Sequence, residues 1–471
     1  MNRALRLLLN HEHTSLHPNT YEADSSAATV ILKLACPSLL RFDHDMRLQP
    51  DLAEAWEASP DQRRFTFRLR PGLTFHNGRV LDAAAAAACL RRMLDPRNIT
   101  PQHADYEGLS AIDVLDARTL AIGFDEPATD FLASLAWRTY IVDDCAVQPV
   151  GAGPYEVTAW QHGHAVHLRK FRGHYAADRY AVPAIEIRWA PHPEQRIAAI
   201  EAGTADIVET VPQKAAPNLV ARGLIETRGV HSPRKTVIAF RASAPPFDDV
   251  RVRCAVALAV DRDAIRERFL GGHGRALNGL LPADDPFGID LPAWPLDREG
   301  ARALLRDAGH GGGLRLRVAH TAMPPVPGVA AQVAADLAEV GITLDLRGYE
   351  DPPWWPAVYL RGDWQMAFQG ASARPHPHIM FRRDLHTGGA FNPGGYANPA
   401  LDALVAQARR CLDPEAQRDL YARAQRLVHE DVAVLPLYAA DVLSGVRPGL
   451  RGFAAHPLGY IELAGVTLDA G

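Results

Sequence analysis

The sequence predicts an α/β protein built from two or three structural units. A chain of 471 residues is longer than one hydrophobic core usually supports. Strand-like and helical segments alternate over residues 184–208 and again over 314–347, as they do in α/β lobes. Since no low-complexity linker or internal repeat interrupts the chain, we expect crossing strands to join the units.

Composition limits the function classes. Hydrophobic residues make up 47% of the chain and charged residues 22%, and the net charge is −5, which is typical of a soluble globular protein without a nucleic-acid partner. No window contains the ~18 to 20 apolar residues of a membrane span. The five cysteines form no CxxC pair, so they indicate neither a zinc site nor a redox centre. We expect at least Cys89 and Cys254 to pack as apolar side chains.

The predicted elements follow from side-chain periodicity and turn residues. Phe65, Phe67 and Leu69 alternate with polar residues and predict a half-exposed strand. Asp82 is placed to cap an alanine-rich helix. Predicted strands cover residues 4–10, 65–69, 137–140, 184–189, 204–208, 236–241, 314–319, 342–347, 364–368 and 432–443. Predicted helices cover residues 82–93, 127–137, 194–202, 329–340 and 414–431.

The stretch from 364 to 402 is the first candidate for ligand binding. Its strand leads into small residues at 370–373, which let a bulky group approach the backbone. A predicted loop then collects cationic and imidazole side chains: Arg374, His376, His378, Arg382, Arg383 and His386. Arginine forks bind carboxylates and histidine binds metals, so the loop suits an anion or a metal chelate. A solvated surface loop is the open alternative.

Two smaller groups are also candidates. Arg138 could bind an anionic group while the indole of Trp137 covers an apolar part of the ligand, and the alternative is an exposed arginine beside a packed tryptophan. Near the N-terminus, His11, His13 and His17 lie close to Glu12. Their spacing matches no recognised metal motif, so we interpret them as surface histidines.

Five motifs spread over the chain resemble those of the family 5 extracellular solute-binding proteins, the receptors of peptide and nickel ABC importers. They are PDLAEAW with FRLRPGLTFHNG within 48–78, GAGPY at 151–155, the pattern of Arg196, Gly203 and Asp206, PPFDDVRVRCAVALAVDR at 245–262, and FNPGGYANPALD at 391–402. The first is the most specific. The glycines of GAGPY serve backbone geometry, since the Gly-Lys-Ser/Thr of a phosphate-binding loop is missing.

The resemblance implies a bilobal periplasmic-binding-protein fold, class II-like and of cluster C, with an extra subdomain inserted in lobe I. Residues 1–37 would form the first part of lobe I, 38–150 the inserted subdomain, 151–235 the continuation of lobe I, 236–443 lobe II, and 444–471 the return to lobe I. The lobes would close on ligand about the crossing strands, which is a hinge motion.

The resemblance also implies a receptor that captures a peptide, a peptide-like molecule or a nickel or other metal chelate between its lobes. It would deliver this ligand to an ABC permease, work as a monomer outside the cytoplasm, and need no cofactor beyond a metal chelate carried as ligand. The start MNRALRLLLN has a shorter apolar run than a secretory signal usually needs. Either the chain is the mature form, or it stays in the cytoplasm.

Two other function classes remain as alternatives. One is an intracellular ligand-sensing protein with the same fold. The other is a hydrolase, but the sequence contains no Gly-x-Ser-x-Gly elbow, His-Glu-x-x-His helix or nucleotide motif. We therefore expect no enzyme activity.

By resemblance, the ligand contacts would be Tyr21, Trp137, Arg138, Arg374, His376, His378 and Tyr396, with His386 as the candidate metal ligand. Peptide-binding members hold the ligand's α-ammonium with an aspartate in the loop after the 364–368 strand. This chain has Arg374-Pro375-His376 there instead, which favours an anionic ligand or a metal chelate. If Arg374 pairs with a ligand carboxylate, the contact contributes ~1.5 to 3 kcal/mol, and Arg374→Ala would weaken binding about tenfold or more.

Overall fold

The computed structural model describes residues 3–12, 15–18, 20, 26–95, 97–98, 100–143, 148–271, 274–350, 354 and 356–468. The chain divides into two compact units: unit 1 consists of Met1–Val230 and Val442–Gly471, and unit 2 of His231–Asp441. The chain therefore passes between the units twice. The predicted lobe II, 236–443, begins and ends slightly later than unit 2. The finer division of lobe I, with an inserted subdomain at 38–150, stays a prediction.

Twenty strands and twelve α-helices lie in the described part of the chain. The strands are β1 (Leu5–Leu9), β2 (Leu40–Phe42), β3 (Leu48–Pro50), β4 (Ala53–Ala58), β5 (Arg64–Leu69), β6 (Leu109–Val114), β7 (Thr119–Phe124), β8 (Tyr155–Gln161), β9 (Ala165–Lys170), β10 (Ala184–Trp189), β11 (Ile207–Val208), β12 (Glu226–Val230), β13 (Lys235–Phe240), β14 (Leu314–Thr321), β15 (Ile342–Tyr349), β16 (Met366–Ala371), β17 (Val434–Ala439), β18 (Val442–Val446), β19 (Leu450–Arg451) and β20 (Thr467–Leu468). The helices are α1 (Ser26–Ala35), α2 (Ala83–Met93), α3 (Phe131–Arg138), α4 (Pro193–Glu201), α5 (Ala216–Ala221), α6 (Val250–Ala259), α7 (Arg262–Leu270), α8 (Arg298–Asp307), α9 (Val326–Ala338), α10 (Pro377–Met380), α11 (Pro399–Arg410) and α12 (Pro414–Glu430).

The main sheet of unit 1 has seven strands in the order β12-β18-β11-β1-β10-β9-β8. Strand β1 pairs in parallel with β10 on one side and with β11 on the other. Leu5, Leu7 and Leu9 pack into one hydrophobic cluster and Leu8 into another. Both faces of β1 are thus covered, which explains why its sequence is a nearly continuous apolar run.

A separate four-stranded sheet, in the order β4-β5-β7-β6, also belongs to unit 1. The predicted half-exposed strand is confirmed as β5, in which Phe65, Phe67 and Leu69 are buried. The ring of Phe131, at the start of α3, lies 4.8 Å from the ring of Phe65, centre to centre. The aromatic face of this sheet therefore anchors α3.

Unit 2 has one five-stranded sheet in the order β15-β14-β16-β13-β17. The predicted pairing of the strands near 236–241 and 432–443 is confirmed for β13 and β17, which are antiparallel. The prediction of a single strand at 432–443 is wrong. This segment contains β17 and the start of β18, which belong to sheets in different units. In unit 1, β18 is in turn antiparallel to β12. The first connection thus joins β12 to β13, and the second joins β17 to β18. Within each unit, the two strands that carry the connections are hydrogen-bonded neighbours.

The glycines of GAGPY allow a close backbone contact in unit 1. The Gly153 N–H donates to Ala35 O at 2.9 Å. A Cβ atom at Gly153 would lie 2.3 Å from Leu34 O, and one at Gly151 would lie 2.2 Å from Ala35 O. The expected role in backbone geometry is confirmed, since no side chain fits between these residues and the end of α1.

Candidate functional site

Trp137 and Arg138 lie in the last turn of α3, in unit 1. The predicted strand at 137–140 is wrong for these two residues, because the helix that starts at Phe131 continues through Arg138 and the backbone becomes extended only at Thr139. Both side chains are buried. The guanidinium carbon of Arg138 lies 4.5 Å from the centre of a Trp137 ring. The arginine is therefore stacked on its tryptophan and is not an exposed surface residue.

Three side chains bind the carbonyl groups at the end of α3. The last carbonyls of a helix have no partner within the helix. The donors here are Ser38 Oγ to Leu135 O (2.7 Å), Lys33 Nζ to Ala136 O (2.7 Å) and the Tyr460 hydroxyl to Trp137 O (2.8 Å). None of these three contacts was predicted from the sequence. A signal for Lys33 was present, since it is the only charged residue of α1.

In unit 2, Arg374 is buried and has a carboxylate partner. Its Nη2 donates to Asp384 Oδ1 at 2.9 Å, and its guanidinium carbon lies 4.9 Å from the centre of the Phe391 ring. The prediction for this segment rested on its cationic side chains and did not include Asp384, which lies among them. The role of Arg374 as a ligand contact stays a prediction.

The predicted loop after β16 is partly helical. His376 caps α10, because its Nδ1 accepts the His378 N–H at 3.2 Å and Pro377 occupies the first turn. A π-helical turn at Phe381–Leu385 follows α10. His378 is buried, and the His376 ring meets the Tyr421 ring edge-on at 5.9 Å. The solvated-loop alternative is therefore wrong for His378, whereas His376 is half-buried. Ligand contact by either histidine stays a prediction.

Tyr396 is buried where α11 meets the end of α12. Its hydroxyl donates to Asp431 Oδ2 at 2.5 Å, and Asn398 Nδ2 donates to the same oxygen at 2.8 Å. Burial raises the pKa of the Tyr396 phenol, and the hydrogen bond to Asp431 raises it further. These contacts explain why the chain has a tyrosine here, whereas ligand contact stays a prediction.

His386 has a hydrogen bond that orients its ring. The Nδ1 atom lies 2.7 Å from Thr387 O and 3.5 Å from Arg382 Nη1. The shorter contact, to a carbonyl that can only accept, favours the tautomer with the proton on Nδ1. Nε2 then carries the lone pair in the neutral ring, and it lies 3.6 Å from Asp402 Oδ1. Within the described residues, no group of three His, Cys, Asp or Glu side chains is placed to hold a metal ion.

Two residues singled out from the sequence, Tyr21 and His13, lie outside the described residues. Cys89 is buried, and Cys254 is partly buried and packs against a hydrophobic cluster of unit 2, as expected. None of the described helices is long and apolar enough to cross a membrane.

A family comparison covers most of the chain. The model of the bacterial extracellular solute-binding proteins, family 5 (middle), matches residues 47–392. The chain belongs to this family. It is a solute-binding protein of the ABC importer type, as the five motifs predict. Members of the family are binding proteins of transporters, and they work with ABC permeases outside the cytoplasm.

Individual relatives agree with this assignment. The glutathione-binding protein GsiB of Escherichia coli K12 is 26% identical over 478 aligned positions, which cover 94% of this chain and 90% of the relative. DppA from Helicobacter pylori, solved with the peptide STSA, is 20% identical with a TM-score of 0.91 over 99% of this chain and 98% of its own. NikA from Staphylococcus aureus, solved with Ni(L-His)2, is 17% identical with a TM-score of 0.90 over 99% and 100%. The predicted bilobal α/β fold is therefore confirmed.

Proposed function

We propose that this protein captures a small, anionic, peptide-like molecule of the glutathione class for an ABC permease. The observation that carries the proposal is the buried pair in which Arg138 stacks on Trp137. A guanidinium has a planar fork of N–H groups, which matches a carboxylate and can bind it through parallel hydrogen bonds, and an indole ring beside it covers an apolar part of the ligand.

Two further observations support an anion over an ordinary peptide. The segment after β16 has Arg374-Pro375-His376 where peptide-binding members carry an aspartate for the ligand's ammonium group. Moreover, relatives that match 94% of this chain are glutathione-binding proteins, and glutathione has two carboxylates and a single ammonium group. Capture of this ligand between the two lobes remains part of the proposal.

Titration calorimetry on the ligand-stripped protein tests the ligand class. We expect glutathione to bind and Arg138→Gln to weaken its binding about tenfold or more, because a charge-assisted hydrogen bond is lost. Arg262→Gln is the matched control, since Arg262 also lies over a tryptophan ring, that of Trp294 in unit 2, at 5.1 Å. A protein that ignores glutathione and prefers peptides with free cationic N-termini would be an ordinary peptide receptor.

We propose binding without turnover, by a monomer that works outside the cytoplasm. Mass spectrometry of glutathione after long incubation with the protein should show an unchanged ligand. Conversion at a rate proportional to protein concentration would contradict this. Light scattering should give the monomer mass, and a protein found only in the cytosolic fraction of its native cells would support the sensor alternative.

Capture of a metal chelate is a second candidate function, favoured by the orientation of His386. An imidazole whose Nδ1–H is bound to a carbonyl presents Nε2 to a metal, and a chelator would supply the other ligands. We expect His386→Ala to weaken the binding of Ni(L-His)2 and to leave glutathione binding unchanged. The control is His231→Ala, a histidine of unit 2 that also contacts an aspartate, Asp441. Equal nickel binding by wild type and His386→Ala would remove this candidate.

A further inference from the structure

We infer that Lys33 is a second cationic contact for the ligand, beside the Trp137–Arg138 pair. The inference rests on the proposed function, in which this pair meets a carboxylate. It adds that unit 1 offers two cations from different elements, α1 and α3, to one anionic end of the ligand. Lys33 would therefore set the preference of the site for anions.

The position of Lys33 is the first argument. It is the only charged residue of α1, yet its ammonium group reaches the end of α3 and donates to Ala136 O at 2.7 Å. The ammonium also lies 5.2 Å from the centre of the Tyr460 ring and 5.6 Å from that of the Tyr140 ring. Aromatic faces attract a cation at such distances, so the rings hold the ammonium beside the residues that carry the proposed ligand contact.

The electrostatic environment is the second argument. Burial lowers the pKa of Lys33 to about 7, Asp51 opposes this shift, and the nearby guanidinium of Arg138 adds to it. Asp51 is the nearby counter-charge, and burial raises its own pKa to about 6. Two cations brought together in a partly buried place repel each other, and a bound carboxylate would relieve that repulsion.

A purely structural role for Lys33 is the competing explanation. The carbonyl end of a helix attracts cations and hydrogen-bond donors, so Lys33 could act only as a cap for α3. Capping α3 requires only a hydrogen-bond donor at position 33, whereas contact with an anionic ligand requires a positive charge there. Lys33→Gln keeps a donor and removes the charge, and Lys33→Met removes both.

The first test measures binding of S-methylglutathione, which has no titrating thiol, by calorimetry at pH 6.5. We expect Lys33→Gln and Lys33→Met each to weaken binding about tenfold, while Lys170→Gln, a control on β9 of the same unit, binds like wild type. Thermal unfolding of each variant shows how far stability changes. Lys33→Gln with wild-type affinity would overturn the inference and leave Lys33 as a cap.

The second test follows the same affinity from pH 6.5 to 8. Wild-type affinity should fall as pH rises through about 7, because the ammonium group loses its proton. The affinity of Lys33→Gln should fall less over the same range, in which Asp51 still titrates. The other titratable or charged groups near Lys33 are Asp51, Arg138, Tyr140, His456 and Tyr460, and Lys33→Gln retains all of them. Equal slopes in wild type and Lys33→Gln would contradict the inference.

The outcomes separate this inference from the proposed function. If wild type binds neither glutathione nor S-methylglutathione, the proposed function fails and the Lys33 contact fails with it. If Arg138→Gln weakens binding and both Lys33 variants bind like wild type, only the Lys33 contact fails.

Discussion

The buried charged groups around a candidate residue determine what a mutation of that residue can show. Arg374 is a ligand candidate by its place in the sequence, yet it forms an ion pair with Asp384 in which the two side chains are 4% and 17% exposed. Lys235 lies near both, and burial, opposed by Asp384, lowers its pKa to about 8. A change at Arg374 therefore alters this charge group whether or not a ligand touches it.

We expect Arg374→Ala to destabilise unit 2, because it leaves the Asp384 carboxylate without its arginine. Breaking a buried pair costs about 3–5 kcal/mol, and Lys235 should offset part of that cost. Removing both charges with Arg374→Ala and Asp384→Ala should restore much of the unfolding temperature. Glutathione affinity then distinguishes ligand contact from structural pairing. If the stable double variant still binds glutathione about tenfold more weakly than wild type, Arg374 contacts the ligand. If its affinity returns to that of wild type, the Arg374–Asp384 pair is purely structural.

Two buried histidines predict acid sensitivity in unit 1. Burial lowers the pKa of both His174 and His456 to about 4. In each, Nδ1 accepts a backbone N–H two residues further on, from Ala176 at 3.3 Å and from Leu458 at 3.1 Å, and this bond requires an unprotonated Nδ1.

The free energy of unfolding should therefore fall as pH falls from ~6.5, where the unfolded chain begins to bind protons, to about 4, where the folded histidines begin to bind them. The effect at the acid end is on the order of 3 kcal/mol per histidine. His174→Asn and His456→Asn keep an acceptor near the Nδ1 position and remove the titration. Urea unfolding at pH 7.5, 5.5 and 4.5 should show a smaller loss in the double variant than in wild type, and parallel curves would contradict the prediction.

At the scale of elements, close contacts between backbone segments determine where Trp137 and Arg138 lie. The end of α1 packs on Gly151 and Gly153, and α1 also carries Lys33 to the end of α3. The start of α3 is in turn anchored at Phe131 by the aromatic side chains of β5. The position of Trp137 and Arg138 therefore depends on elements that are far apart in the sequence.

We expect Gly153→Ala to destabilise unit 1, because the new Cβ would lie 2.3 Å from Leu34 O and 2.7 Å from Ala35 C. Overpacking of this kind typically costs about 1–3 kcal/mol. Gly229→Ala is the matched control in the same unit, since its Cβ would meet only Leu443 Cδ1, at 3.5 Å. Thermal unfolding of the two variants measures the difference, and an equal effect would count against the close contact.

At the scale of the whole molecule, the two chain connections lie at 230/231 and 441/442. In unit 1 they adjoin β12 and β18, which pair with each other, and in unit 2 they adjoin β13 and β17, which also pair. Two adjacent connections are typical of a hinge, since a small change in a few backbone angles can move one body relative to another.

We expect saturating glutathione to reduce the radius of gyration measured by small-angle X-ray scattering, as hinge closure requires. Arg138→Gln at a concentration that leaves it mostly unliganded is the control and should scatter like the free wild type. A wild-type profile unchanged by ligand, with binding verified by calorimetry, would argue against hinge closure.

The sequence by itself determined the family, the α/β class and most of the elements. Local signals were sufficient for these: alternation in β5, the Asp82 cap of α2, whose carboxylate accepts the Ala85 N–H at 2.8 Å, and the motifs read along the chain. Such patterns depend on neighbouring residues, and the chain displays them directly.

Only the tertiary structure decided what the candidate side chains contact. Arg374 has Asp384 as its partner, Tyr396 has Asp431, and the end of α3 is held by Lys33 and Tyr460. The helical course of 377–385 and the division of 432–443 into two strands also appeared only there. The physical reason is that burial and charge pairing depend on which distant residues the fold brings together, and sequence spacing carries little of that information.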